Sequence, residues 1–231
     1  MVETRKQYHE ELDELKNDTV RLAAMATEAI AAGTQALLDG DLAGAERVIV
    51  SDRHIDDLFH DIEERTCYVL ARQSPMASEL RMVVAILRVV HEIERCGDLM
   101  VNVAKATRRL YPYGLEPKIR GLVERMGAQA GDQMRLAVTA FDDGDVMQAA
   151  AVEDMDDVMD DLTKSLFRTI FSVEAPDETA LQRIVQVALV GRYYERIADH
   201  AVNISHRVRF VVTGALTSEE DETSPEEAGL S

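Results

Sequence analysis

The sequence predicts an all-α protein made of two tandem three-helix bundles that arose from an internal duplication. Three observations predict it: a composition typical of helices packed on helices, turn-forming residues that leave six long stretches between them, and an acidic motif that occurs twice. Hydrophobic residues make up 46% of the 231-residue chain, whereas aromatics are only 5%, Trp is absent and Pro numbers five. Such a chain can bury a core, and signals for strands are scarce.

Helix-breaking residues set the bounds of each element in turn. The breaks are Asp39-Gly40-Asp41, Ser74-Pro75, "YPYGLEP" at 111–117, Asp143-Gly144-Asp145 and "EAPDE" at 174–178. The predicted helices between them are residues 3–38, 42–73, 76–110, 117–142, 146–173 and 177–213. At ~1.5 Å per residue, several of these helices reach about 45 Å.

A repeated motif shows that the second set of three helices copies the first. "ERCGDLMVN" at 94–102 is matched by "ERIADHAVN" at 195–203, an offset of 101 residues. "ALLDGDL" at 36–42 matches "AFDDGDV" at 140–146 with an offset of 104, so the second copy is three residues shorter between these points. The predicted domains are residues 1–112 and residues 117–213, with "YPYGLEP" as the joint.

The charge excludes some classes of function. The formal net charge is −18, so the field of the protein repels phosphate backbones and we expect no nucleic-acid binding. Residues 214–231 carry six acidic and no basic residues and are predicted to be a disordered tail, which leaves −12 on the body.

The two cysteines and the apolar runs indicate a cytoplasmic protein. Cys67 and Cys96 lie inside predicted helices and are expected to be reduced packing residues. The N-terminus has no apolar signal region, and the longest apolar run, residues 82–90, is too short to span a bilayer. We therefore expect no membrane insertion.

Each copy of the repeated motif carries a Glu and an Asp four residues apart, a spacing that puts both on one helix face. The pairs are Glu94 with Asp98 and Glu195 with Asp199. Both border the predicted inward-facing stripe, which contains Val83, Leu87 and Val101 in the third helix and Leu181, Ile184 and Ala188 in the sixth. Unpaired acids that are partly buried there carry a desolvation cost, so something must neutralise them.

The preceding helix of each half offers a second pair of acids. Asp52 and Asp56 border the apolar stripe of the second helix, and Asp156 and Asp160 stand at the equivalent offset of 104 in the fifth. Acids nearby leave the choice in the fifth helix open; these are Glu153, Asp157 and Asp161. If adjacent helices bring four carboxylates together, a hard or borderline multivalent cation is the economical counter-ion.

The alternative is that these acids are solvated and paired within their own helices, for example Arg192 with Glu195 and Arg88 with Glu92. The repeated Arg95 and Arg196 are expected to form salt bridges to neighbouring helices.

Other repeated or neighbouring residues leave their roles open. Asn102 and Asn203 fit either a hydrogen bond to a ligand carboxylate or a contact between helices. His200 follows Asp199 and either helps a site or lies on the surface. The Glu-x-x-His pattern of ferritin-like di-iron bundles is missing, and so are phosphate loops and nucleophile motifs, so an enzyme is not predicted.

The repeated Glu-Arg-x-x-Asp-x-x-Val-Asn motif, each copy after an Asp-rich helix and a Pro turn, resembles that of the PhoU family, and the resemblance extends from residue 1 to about residue 213. It implies PhoU-like tandem bundles, six long helices in all, and a cytosolic regulator of phosphate homeostasis that restrains phosphate uptake and the phosphate-starvation response. The implied partners are a PhoR-type sensor histidine kinase and the ATPase subunit of a phosphate ABC transporter, which would bring the chain to the inner face of the plasma membrane. A homodimer is also expected.

Some members of that family bind iron or zinc clusters through these acids, with magnesium and manganese as further candidates here. Carried over, the resemblance implies metal sites formed by Asp52, Asp56, Glu94 and Asp98, and by Asp156, Asp160, Glu195 and Asp199. Cys96 and Gly97 occupy the middle of the first motif, where Ile197 and Ala198 stand in the second, so the two sites need not be equal. The alternatives are a metal-buffering or metal-storage bundle and a purely structural scaffold.

Overall fold

The computed structural model describes residues 2–73 and 75–215, and it contains all six predicted helices. Their bounds are α1 (Val2–Asp39), α2 (Leu42–Gln73), α3 (Ser78–Leu110), α4 (Pro117–Asp143), α5 (Val146–Phe171) and α6 (Glu178–Thr213). Every predicted boundary lies within about two residues of the observed one, which is the usual uncertainty of a helix end. Of the predicted acidic tail, residues 216–231 lie outside the described residues.

The same turn joins the first two helices of each half. Gly40 ends α1 with φ 64° and Gly144 ends α4 with φ 66°, a left-handed conformation that favours glycine. The next residue then caps the following helix: Asp41 accepts a hydrogen bond from the Ala43 backbone N–H at 3.0 Å, and the Asp145 carboxylate accepts from Met147 at 2.8 Å. The Asp-Gly-Asp sequence therefore acts as a helix stop and a helix start in both copies.

The helices pack as two three-helix bundles that lie against each other. α1, α2 and α3 contact one another, and so do α4, α5 and α6, while α1 also packs on α4 and α3 on α6. α3 and α6 run antiparallel, because Arg81 donates to the Val211 carbonyl at 3.2 Å near one end and Arg109 donates to Gln186 at 3.2 Å near the other. Buried side chains from all six helices form one continuous core.

Contacts between α1 and the second half complete this packing. The Thr34 and Tyr194 hydroxyls are hydrogen-bonded at 2.8 Å across the two halves, and both residues are buried. Thr34 also lies against Gly127 of α4, where any side chain would collide with it. Within residues 2–73 and 75–215, none of the helices is both long and apolar enough to span a membrane.

Candidate functional site

The first acidic cluster consists of Asp52 and Asp56 of α2 and Glu94 and Asp98 of α3. Asp52 reaches across to α3, where Gly97 stands between the two α3 acids. A Cβ atom at Gly97 would lie 2.8 Å from Asp52 Oδ1, so the missing side chain provides the space that this carboxylate occupies. The two helices therefore bring Asp52 against the middle of the repeated motif.

Electrostatics shows that the four acids of the first cluster influence one another. Burial, together with the charges of Asp56, Asp98 and Glu94, raises the pKa of Asp52 from 3.8 to about 6. The pKa of Glu94 is raised as well, mainly by burial and by Asp98. The α2 and α3 carboxylates thus share one local field.

One basic side chain partly neutralises this cluster. Arg95 pairs with Asp98 on its own helix at 2.7 Å, and both side chains are about 40% exposed. The expectation that Arg95 bridges to a neighbouring helix is therefore wrong: three residues along one helix is close enough for a flexible guanidinium to fold back.

The second acidic cluster consists of Asp156 and Asp160 of α5 and Glu195 and Asp199 of α6. Burial raises the pKa of Asp156, and the charges of Asp199 and Asp160 add to the shift, whereas a hydrogen bond from Gln133 at 3.3 Å opposes it. The pKa of Asp199 is also raised, by burial and then by Glu195. This cluster is a looser version of the first, with Asp160 and Asp199 exposed.

Basic partners also distinguish the acids around the second cluster. Arg192 pairs with Glu195, as the solvated alternative expected. Glu153, which the sequence left as a candidate, binds Arg209 at 2.8 Å and lies 3.4 Å from His206. Glu153 is thus already neutralised from α6.

A polar contact between α3 and α6 lies beside the clusters and was missed by the sequence reasoning. Glu92 Oε2 lies 2.6 Å from His200 Nδ1 and accepts from the Asn203 amide at 3.2 Å. Burial alone would raise the pKa of Glu92, but the hydrogen bonds from His200 and Asn203 lower it below its usual value. Glu92 is therefore a carboxylate held ionised between the two halves.

This contact decides several open assignments. The expected Arg88–Glu92 ion pair does not form between these two described residues, since Glu92 faces α6 instead. His200 is a largely buried residue, with 14% of its side chain exposed, and Asn203 forms a contact between helices. The signal that could have identified them is that His200 and Glu92 both break the internal repeat, where Leu99 and Tyr193 stand.

The cysteines only partly follow their expectation. Both are free, and Cys96 is buried, with its thiol 3.3 Å from the Glu92 carbonyl. Burial raises the pKa of that thiol well above its usual value, so it is unreactive. Cys67 is exposed and is not a packing residue.

The donor chemistry of both clusters suits a hard or borderline cation, because carboxylate oxygens are the ligands. Burial, and then the neighbouring acids, raises the pKa of Asp52, Glu94, Asp156 and Asp199. In the described part of the chain, however, no three His, Cys, Asp or Glu side chains are grouped closely enough to hold a metal ion. Binding would require the side chains of either cluster to draw together. The metal sites stay a prediction.

Comparisons with known proteins match both halves of the chain. The PhoU domain model matches residues 19–107 and again residues 123–208. The phosphate-specific transport system accessory protein PhoU homolog 2 of Mycobacterium tuberculosis is 38% identical over 213 residues, which cover 92% of this chain and 99% of that protein. The PhoU homolog of Caulobacter vibrioides is 30% identical and covers 94% of both chains.

Solved structures agree with the fold. The crystal structure of PhoU from Pseudomonas aeruginosa matches with a TM-score of 0.85 at 28% identity and covers 90% of this chain and 100% of that one. The phosphate transport system regulatory protein PhoU from Streptococcus pneumoniae matches with a TM-score of 0.83 at 26% identity, covering 91% and 99%. The two tandem three-helix bundles are therefore an arrangement found in solved proteins.

Proposed function

Because the chain belongs to the PhoU family, we propose that it is a regulator of phosphate uptake that connects a phosphate ABC transporter to a sensor histidine kinase and keeps the phosphate-starvation response off when phosphate is plentiful. The observation that carries this proposal is the match of both halves to the PhoU domain, together with relatives named as accessory proteins of the phosphate-specific transport system. The protein is not an enzyme: its relatives are accessory and regulatory proteins.

Charge supports an indirect role in sensing phosphate. A chain of net charge −18 repels a free phosphate anion, so a transporter partner is the better reporter of phosphate supply. Partners of this kind, the transporter ATPase subunit and a PhoR-type kinase, would hold the chain at the inner face of the plasma membrane from the cytoplasm. The exposed acids of the second cluster then provide a surface for basic partner residues.

Charge reversal at the second acidic cluster tests this role. In cells that lack their own PhoU and carry this gene, Glu195→Lys with Asp199→Lys is expected to switch on a phosphate-starvation reporter in phosphate-rich medium. Glu124→Lys with Asp154→Lys, at two exposed acids outside the clusters, is the matched control and should leave the reporter off. An unchanged reporter with the cluster variant at normal protein level would contradict the proposal.

We also infer that the acidic clusters bind a multivalent cation, with iron or zinc ahead of magnesium or manganese. The raised pKa values of Asp52, Glu94, Asp156 and Asp199 support this inference, since a cation would stabilise the ionised forms. Elemental analysis of the purified chain, before and after a chelator, tests it. Protein without stoichiometric metal, whose melting temperature the chelator leaves unchanged, would end both this inference and a storage function, while the regulatory proposal would survive.

The homodimer expected from the sequence remains a proposal. A groove of about 510 Å³ between α1 and α2 has small residues in its lining, among them Ala29, Ala32, Ala36 and Gly44, with charged residues such as Glu28 and Arg47 beside them. Its small residues leave room for another helix to approach. Light scattering coupled to size-exclusion chromatography tests the dimer. Ala32→Arg should convert a dimer that uses this groove to the 25.7 kDa monomer.

A further inference from the structure

α3 and α6 each expose an apolar pair at equivalent positions near their N-terminal ends. Leu80 and Val84 of α3 are 42% and 37% exposed, and Leu181 and Val185 of α6 are 53% and 48% exposed. The sequence had placed Leu181 in the inward-facing stripe, and the structure corrects this. Single exposed apolar residues are normal on any protein, but the same pair in both copies is not explained by core packing.

The internal duplication shows that these pairs belong to one longer stripe. The residues that are identical between α3 and α6 at the offset of 101 are Leu80, Val84, Val89, Glu94, Arg95, Asp98, Val101, Asn102 and Arg108, each with its counterpart. At ~100° per residue, all of them except the buried Val89 fall within about 140° of the helix circumference. The two copies have therefore kept one face in common while most of the rest diverged.

That face changes character along the helix. Its N-terminal part is the exposed Leu–Val pair, and ten residues on, at ~15 Å, it reaches the Glu and Asp of the acidic cluster. We call these two faces the docking strips: Leu80, Val84, Glu94 and Asp98 in α3, and Leu181, Val185, Glu195 and Asp199 in α6. Each strip presents apolar surface next to an acidic group that one arginine, Arg95 in α3 or Arg192 in α6, neutralises only in part.

We propose that each docking strip binds an amphipathic helix of a partner protein that carries two apolar side chains one turn apart and Lys or Arg residues two to four turns away on the same face. The apolar side chains would cover the Leu–Val pair and the basic ones would meet the acidic cluster, a match of both hydrophobicity and charge. This inference rests on the proposed regulatory function, because that function supplies the partner.

Other occupants fit less well. A second copy of the chain laid parallel on the same strip would bring acidic cluster against acidic cluster, and an antiparallel copy would place the acids against the Leu–Val pair, so neither orientation matches both ends. Nucleic acid is repelled by the net charge of −18. The basic amphipathic helix is the occupant that both ends of the strip favour.

A defined peptide tests the strips in vitro. The probe is a fluorescent helical peptide of about 22 residues with Leu at positions i and i+4 and three Lys placed two to four turns further on, and a scrambled peptide of the same composition is its control. With the full metal-free chain, fluorescence anisotropy is expected to show two peptides bound per protein. The scrambled peptide should bind about tenfold more weakly, because its charge and apolar groups no longer match both ends of a strip.

Substitutions then assign the binding to the strips. Leu181→Gln with Val185→Gln should reduce the stoichiometry from two to one, and adding Leu80→Gln with Val84→Gln should abolish specific binding. The matched control is Val50→Gln with Met147→Gln, at apolar residues that are even more exposed but lie off the strips, and it should leave both sites intact. Equal binding by the fourfold variant and the control, or by the scrambled peptide, would overturn the proposal.

The natural occupant is identified in cells with a photo-cross-linking residue at Val185. Cross-linking to a basic helix of the transporter ATPase subunit or of the kinase supports the proposal, whereas cross-linking only to a second copy of the chain overturns it. The two proposals can fail separately. A reporter that stays off in the Glu195→Lys, Asp199→Lys variant, while the unsubstituted chain binds two peptides, contradicts the regulatory function. A reporter that switches on in that variant, while peptide binding does not depend on the Leu–Val pairs, contradicts the docking strips.

Discussion

The two acidic clusters occupy equivalent places in the two halves, yet their local environments differ. In the first, Asp52 lies over Gly97 and its pKa rises to about 6. In the second, Ala198 replaces Gly97, and Asp156 accepts a hydrogen bond from Gln133, whose counterpart in the first half is Ala29. Both copies of the motif therefore keep the same acids. The Ala198 methyl group and the Gln133 amide are the two differences that bear on the pKa of the neighbouring aspartate.

Metal binding is expected to show the largest difference between the clusters. Zinc at about 100 times its Kd should raise the free energy of unfolding by about 2.7 kcal/mol. Asp52→Asn should remove more of this gain than Asp156→Asn, because burial and three neighbouring acids raise the pKa of Asp52, whereas a hydrogen bond from Gln133 opposes the shift at Asp156. Thermal melting with and without zinc measures it, with Asp57→Asn at an exposed neighbouring acid as the control. Equal losses from both variants would contradict the ranking.

The second-largest difference between the clusters is expected in how the free energy of unfolding depends on pH. The folded pKa of Asp52 is raised, so its ionisation destabilises the fold: the penalty is absent below pH 3.8 and complete above about pH 6. A shift of this size is worth about 3 kcal/mol at full burial, and screening of a partly exposed group reduces it to about 1–2 kcal/mol. Asp52→Asn should therefore stabilise the metal-free protein at pH 8 but not at pH 3.5.

Urea unfolding at the two pH values checks this prediction. Asp156→Asn serves as the comparison and should stabilise less at pH 8, because the Gln133 amide already favours the ionised carboxylate of Asp156. A stabilisation by Asp52→Asn that is as large at pH 3.5 as at pH 8 would show that packing rather than charge is responsible.

Exchanging Gly97 and Ala198 should make the environment of each cluster more like that of the other. Gly97→Ala places a methyl group against Asp52 Oδ1, so the carboxylate must move and its pKa should fall toward 3.8. Ala198→Gly should cost about 1 kcal/mol of stability, since glycine is a poor helix residue. Carbon-13 NMR titration of the Asp52 carboxyl measures the first effect; an unmoved pKa would mean that Gly97 does not set it.

The smallest effect is expected from the ion pairs. Arg95→Gln removes the pair with Asp98, and Arg192→Gln removes the pair with Glu195. Each should cost no more than about 0.5 kcal/mol, because the basic partners are half exposed and salt screens them. Denaturation at low and high salt checks this. A loss well above 1 kcal/mol that persists in high salt would show that the arginines stabilise the fold in another way.

The helices were predictable because each boundary has a local cause. Gly40 and Gly144 adopt left-handed turns and Asp145 caps α5, so residues near in sequence suffice to place these ends. The position of Asp52 against the repeated motif of α3 was also predictable, since one apolar stripe per helix fixes which faces meet inside a bundle.

What escaped prediction depends on how the two bundles pack on each other. The face of α3 that carries Glu92 meets α6, and nothing in the local pattern distinguishes that face from a solvated one. For the same reason Leu181 was assigned to the core: helical periodicity gives a direction around the axis but not the point along it where the neighbouring helix ends. The ion pair of Arg95 with Asp98 depends on the rotamer of the arginine, which the sequence does not give.

The antiparallel pairing of α3 and α6 is what a symmetric dimer of one repeat would form. Its contacts at the two ends, Arg81 with Val211 and Arg109 with Gln186, are related by the offset of 101 to within about one helical turn. Gene fusion of such a dimer would preserve an isologous interface inside one polypeptide. In such a fusion each repeat would keep the surface that pairs it with the other copy, and residues 111–117, which join α3 to α4, would be the linker.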